Sequence, residues 1–179
     1  MRTLIILLML TSPALAEPLG LRFGMTTDEI KAARPCAKLT EVPQRGMTCP
    51  QVRYAELDMK VDLDLYAGSL QRIAMVGRLG ATRAEAERAA KLLLAQLNKD
   101  YGPVEWVAAP SDHRGALTDL APLFDNIDRT HARFKSRAAT LFEVTETKSS
   151  KIHVGGQLQR DKLGYAVELV FRPPTKQPR

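Results

Sequence analysis

The chain is short of nearly everything that marks a recognisable active site. It has 179 residues with three histidines, two cysteines and one tryptophan. His113, His131 and His153 are not paired at metal-ligand spacing, and no H-E-x-x-H or Cys/His cluster occurs, so no zinc motif is written in the sequence. No G-x-S-x-G elbow is present. Ser111-Asp112-His113 sets the three triad residue types side by side, but a triad is assembled in space and adjacent residues do not align it; the tripeptide reads as a polar turn. These gaps lead to an expectation of no enzyme activity, no cofactor and no metal. The runner-up with chemistry is a hydrolase assembled from scattered residues such as Asp112 and His113.

Long apolar runs are missing too. The longest opens the chain, MRTLIILLMLTSPALA: Arg2 as a positive start, seven apolar residues at 4–10, and a small-x-small end at Ala14-Leu15-Ala16. That is the pattern of an export signal over residues 1–16, too short for the roughly 20 apolar residues a membrane helix needs. Periplasmic or secreted location follows as an expectation, with no transmembrane segment in the mature chain. Residues 17–172 are expected to form a single domain and 173–179 a disordered tail. The formal charge is +6, and +5 once Arg2 is removed. This mild excess suggests anionic surfaces at most, and nothing reads as a nucleic-acid module.

Two cysteines in an oxidising compartment favour a disulfide between Cys36 and Cys49. The loop between them, AKLTEVPQRGMT, has no periodicity and would stray without a staple. A redox-active pair is the alternative, although such pairs usually take C-x-x-C spacing.

What is present is an alternation of helix and strand signals. Thr26-x-x-Glu29 and Thr82-x-x-Glu85 are capping boxes. The first opens a short helix that Pro35 ends. The second opens a long one over 82–102, with Ala86, Ala89, Ala90, Leu93, Leu94 and Leu97 as its apolar stripe. Strands are expected at 51–57, 61–66 and 70–76, then at 140–147, 152–158 and 165–171. Asp62 and Asp64 fall on the solvent face of a strand whose Val61, Leu63 and Leu65 point inward, which argues against a catalytic carboxylate pair. Residues 107–128 are harder, with Leu117, Leu120, Phe124 and Ile127 compatible with a short helix. The fold class is therefore α+β, with helices packed on one face of an antiparallel sheet. GMTTDEIKAAR at 24–34 and GATRAEAERAA at 80–90 match at four places, hinting at a tandem helix-then-sheet repeat.

The succession "LGLRFGMTTDEI", "YAGSLQRI", "LNKDYGP" resembles small periplasmic modules of the BamE-like and β-lactamase-inhibitor-protein-like type, over residues 19–105. The resemblance implies helices on one face of an antiparallel sheet, and a role in binding other proteins or in assembly. No lipid-attachment cysteine follows the signal, unlike the outer-membrane assembly lipoprotein, and no catalytic residue carries over.

The most informative polar stretch is 129–137, where Arg129, His131, Arg133, Lys135 and Arg137 recur at every second residue. On a strand they form a basic edge or face; on a helix Arg129, Arg133 and Arg137 still align. A solvated face, or an edge charged against aggregation, is one reading. A docking surface for an acidic envelope protein or an anionic envelope component is the other. The expected function is a non-enzymatic binding module acting through surface complementarity. The alternative of that kind is an inhibitor or immunity protein against an envelope-acting enzyme.

Overall fold

The computed structural model describes residues 18–107, 114–116, 120–134, 138–144 and 152–174. The leader, the Ser111-Asp112-His113 tripeptide, Leu117, Lys135, Arg137 and the end of the tail lie outside the described residues.

Three helices are described: α1 (Thr27–Ala33), α2 (Arg83–Asp100) and α3 (Ala121–Phe134). Both capping boxes form. The Glu29 carboxylate accepts from the backbone N–H of Thr26 at 2.7 Å while Thr26 Oγ1 accepts from Glu29 N–H at 3.4 Å. Glu85 does the same for Thr82, at 3.0 and 3.4 Å, and also accepts from Ala81 N–H. Each box satisfies backbone donors that the first helical turn leaves open.

The strands are β1 (Thr40–Val42), β2 (Gly46–Tyr54), β3 (Leu57–Tyr66), β4 (Ser69–Gly80), β5 (Val104–Val107), β6 (Arg114–Ala116), β7 (Ala138–Val144), β8 (His153–Asp161) and β9 (Gly164–Arg172). They make one sheet in the order β1-β2-β3-β4-β9-β8-β7-β5-β6, antiparallel throughout. The strand expected at 51–57 is divided: a turn at Ala55-Glu56 separates β2 from β3. Both turn residues take positive φ, 48° and 65°, the geometry of a tight hairpin turn without its usual glycine or asparagine.

The pairing register sorts the side chains into two faces. Val61, Met75, Leu169 and Gly156 sit in one row across β3, β4, β9 and β8, and Leu63, Ile73, Phe171 and Val154 in the next. Every side chain larger than glycine in these rows is buried. The rows that alternate with them hold Lys60, Val76, Glu168 and Gln157, and Asp62, Ala74 and Val170.

All three helices cover the first face. Tyr101, just past α2, packs against Phe171 with the rings tilted by 54° and their centroids 5.4 Å apart, and Phe124 of α3 meets Tyr165 edge-on at 5.3 Å. Tyr165, Val167, Leu169 and Phe171 alternate along β9, so both contacts lie on one side. Ile30 of α1 enters the same core. α2 contributes Ala86, Ala90, Leu93, Leu94 and Leu97; burying each leucine stabilises by about 1.5–3 kcal/mol. The chain is thus α+β with helices on one side of an antiparallel sheet. Where sequence patterns offered two main helices and a doubtful third, three are present, and Leu120, Phe124 and Ile127 are all buried.

Cys36 and Cys49 form a disulfide, with Cα atoms 6.1 Å apart. Cys49 pairs with Val61 on the core face, so the bridge ties the segment after α1 to β2. In the chain-entropy account a loop of this size is worth about 3 kcal/mol. No helix among the described residues is long and apolar enough to cross a membrane.

The chain order shows two similar units. α1 is followed by β1, β2, β3 and β4; α2 is followed by β5, β7, β8 and β9, with β6 and α3 placed after β5. In the sheet the first series runs 1-2-3-4 and meets the second running 9-8-7-5, joined along β4 and β9. Each helix is entered from a segment bonded to the start of its own unit's last strand. Gly24 and Met25 exchange hydrogen bonds with Leu70, both at 2.8 Å, and Gly80 pairs with Tyr165. The matching residues of 24–34 and 80–90 occupy these equivalent places.

Candidate functional site: the uncovered face of the sheet

None of the three helices packs on the second face of the central strands. Alternation along β3, β4 and β9 sends the polar residues of VDLDLY, LQRIAMV and YAVELVF to that side. The result is a charged lattice that spans five strands.

Arg72 lies at its centre. Its Nη1 donates to Asp64 Oδ2 at 2.7 Å and its Nη2 to Glu168 Oε1 at 3.1 Å. The other Glu168 oxygen accepts from Gln157 Nε2 at 2.6 Å. One chain of charge-assisted bonds therefore crosses β3, β4, β9 and β8. Beside it, Asp62 accepts from Thr48 Oγ1 of β2 at 2.8 Å and from Lys60 Nζ at 2.9 Å. Farther along the face, Arg78 grips Asp161 with two bonds of 2.9 Å, which hold the guanidinium proton more firmly than usual. Between these groups lie small apolar side chains, Val76 exposed, Ala166 and Val170 half-buried, and Ala74 buried under its neighbours. The face is thus charged, largely internally neutralised, and ruled with short apolar strips.

Asp62 and Asp64 lie where alternation places them, with side chains 37% and 41% exposed. Each is engaged by a cation on its own surface. The two carboxylates are therefore in similar partly solvated surroundings, without the contrast that separates a catalytic acid from a base.

The basic stretch falls elsewhere. Arg129, His131 and Arg133 belong to the last turns of α3, on the opposite side of the sheet from Arg72; Arg129 and Arg133 are exposed and His131 is half-buried. This part is helix, so the every-second-residue pattern forms no strand face there; Arg129 and Arg133 align four residues apart. Lys135 and Arg137 lie outside the described residues. His153 is exposed at the start of β8. No group of three or more His, Cys, Asp or Glu side chains among the described residues is placed to hold a metal ion.

A second polar cluster fastens α3. Asp128 accepts from Arg160 Nη1 at 2.6 Å and from the Tyr165 hydroxyl at 2.5 Å. Arg83 of α2 reaches Asp125 at 2.6 Å and Glu87 at 2.7 Å. Burial, then the bond to Asp128, pushes the Tyr165 phenol up to about 12, so it stays a donor at physiological pH. The guanidinium of Arg83 lies over the Phe124 ring and that of Arg160 over Tyr165, 5.9 and 5.2 Å from the centroids. These groups are spent on one another and hold the helix layer together.

The Arg72–Glu168 link was not legible in the sequence, because its partners are 96 residues apart. Alternation showed that each faces solvent, and only the β4–β9 pairing brings them together. Compared with known proteins, the chain matches no family model, no curated protein and no solved structure.

Proposed function

We propose that the chain is a non-enzymatic interaction module of the cell envelope that engages a protein partner through the uncovered face of its sheet. The observation that carries this reading is the one-sided architecture: three helices on one face, and on the other a broad charged lattice around Arg72 with Val76 exposed. The apolar leader and the Cys36–Cys49 bridge support export to an oxidising compartment. The resemblance to BamE-like and inhibitor-like periplasmic modules supports the same reading. The basic turns of α3, including Arg129 and Arg133, lie on the far side, where their positive charge would orient the module toward an anionic envelope component.

The test compares two substitution pairs in the tagged, exported chain, with cross-linked capture from envelope extracts at low and high salt. Val76→Lys with Val170→Lys places cations on the sheet face; Arg129→Glu with Arg133→Glu reverses charge on the helix side. The first pair is expected to abolish capture of the partner retained by the wild type. The second is expected to change its salt dependence and leave capture in place. Capture by the first pair equal to wild type, with unchanged urea unfolding as the folding control, overturns docking on the sheet face.

A further inference from the structure

At the β1–β2 end of the uncovered face the surface sinks into a depression of about 560 Å³, within the range of small-molecule sites. Its walls are Gln44 and Arg45 from the turn before β2, Asp62, Asp64 and Tyr66 from β3, and Arg72 from β4. We propose that this depression is a saccharide-binding site, taking a neutral pyranose unit of an envelope glycan. The proposal goes beyond protein docking and stands without it.

Elimination by charge gives the ligand class. Three cations, Arg45, Lys60 and Arg72, and two carboxylates, Asp62 and Asp64, share the lining, and Glu168 holds the other arm of Arg72. An anion entering would meet the carboxylates, and a cation would meet the arginines and the lysine. Neither gains a net Coulomb attraction. A wholly apolar ligand would strip water from five charged groups and return no hydrogen bond, a cost of several kcal/mol in general terms. The fitting ligand is neutral and rich in groups that both donate and accept.

The unspent hydrogen-bond capacity matches hydroxyls. A carboxylate offers about four acceptor sites. Asp64 spends one on Arg72, and Asp62 is bonded by Thr48 and Lys60, so acceptors remain on both. Among the described residues Gln44 and Arg45 keep their side-chain donors unspent. One face of a sugar ring is lined with C–H groups, and these need a flat apolar partner. Tyr66 supplies it: its side chain follows Asp62 and Asp64 on the same side of β3, and the residue is 78% exposed.

The backbone of the walls is also fixed in advance. Leu65 N–H donates to the Arg45 carbonyl at 3.0 Å, which pins the turn before β2 to β3. Ser69 Oγ donates to the Tyr66 carbonyl at 3.2 Å, which closes the hairpin that carries the ring. These bonds fix the backbone that carries the Arg45 and Tyr66 side chains, which lowers the ordering cost of binding.

Titration of the ¹⁵N-labelled exported chain with β-1,4-linked trisaccharides of N-acetylglucosamine and of glucose tests the site by amide shift perturbation. Shifts are expected at 44–45, 62–66 and 71–72. Tyr66→Ala is expected to weaken binding about tenfold or more, and Tyr66→Phe to keep it within about threefold, since the ring face is retained. The proposal is overturned if neither sugar moves those amides at about 10 mM, well above a millimolar Kd, or if shifts appear only elsewhere. Equal binding by Tyr66→Ala, or equal losses in Tyr66→Ala and Tyr66→Phe, overturns it as well. Capture of a protein through Val76 with no sugar response would retain the docking face and reject the glycan site.

Discussion

Two glycines at turns beside the depression are specified to very different degrees. Gly46 and Gly68 both take positive φ, 138° and 79°. A Cβ on Gly46 would lie 2.0 Å from the Leu63 carbonyl oxygen and 2.8 Å from Leu65 Cδ1, whereas one on Gly68 would meet nothing within 4 Å. Gly68→Ala therefore carries only the backbone penalty, about 1 kcal/mol. Gly46→Ala must in addition part β2 from β3, and a loss of about 3 kcal/mol or more is expected. Urea unfolding of the two variants measures the difference, and equal losses would mean that the β2–β3 wall yields easily. At this scale the sequence marks both glycines only as turn residues. It places Asp62, Asp64, Arg72 and Glu168 on a solvent face through alternation, yet it cannot pair them, because strand alternation is local and the β4–β9 contact is not.

Elements were legible where a local rule is strong. Thr26 and Thr82 each stand three residues before a glutamate, and the helices begin where those boxes place them. The glutamates also make a pH signature. Backbone and side-chain hydrogen bonds from Thr26 and Thr82 lower the carboxyl pKa of Glu29 and Glu85 from the ordinary 4.5. A lowered folded-state value means stability fully present above about 4.5 and lost as the pH falls through the lowered value. Glu29→Gln with Glu85→Gln should therefore be less stable than wild type near pH 7, with the gap narrowing as the pH falls below 4.5 and through the lowered values. Urea midpoints across a pH series read this directly; a gap that does not change with pH would show that the charge on the boxes contributes nothing. The turn at Ala55-Glu56 and helix α3 were harder for one physical reason. Their local chemistry is atypical: no glycine or asparagine in the turn, and no capping box at Ala121. Tertiary packing of Phe124 and Ile127 then decides the helix.

At the scale of the molecule, the four matches between 24–34 and 80–90 hint at two units but say nothing of their fusion into one sheet. The fusion makes the units interdependent. β4 ends the first unit and pairs along its length with β9, which ends the second. α2 opens the second unit, yet its leucines cover β4 as well as β9. A first half ending after β4 would leave Ile73, Met75 and Leu79 without their helix and the long β4 edge open to aggregation. A second half beginning at α2 would leave β9 unpaired on its inner edge. The first half is also near the size at which only about 60% of the unfolded surface is buried. Residues 18–81 and 82–174, produced separately, are therefore expected to show no cooperative urea transition, and their mixture to recover one together with the native near-ultraviolet signal of Tyr101 against Phe171. A half that unfolds cooperatively alone, at the midpoint of the intact chain, would mean that the β4–β9 seam joins two finished domains. The uncovered face would then be two surfaces in contact, and the Arg72–Glu168 bond would bridge two bodies instead of bracing one rigid platform.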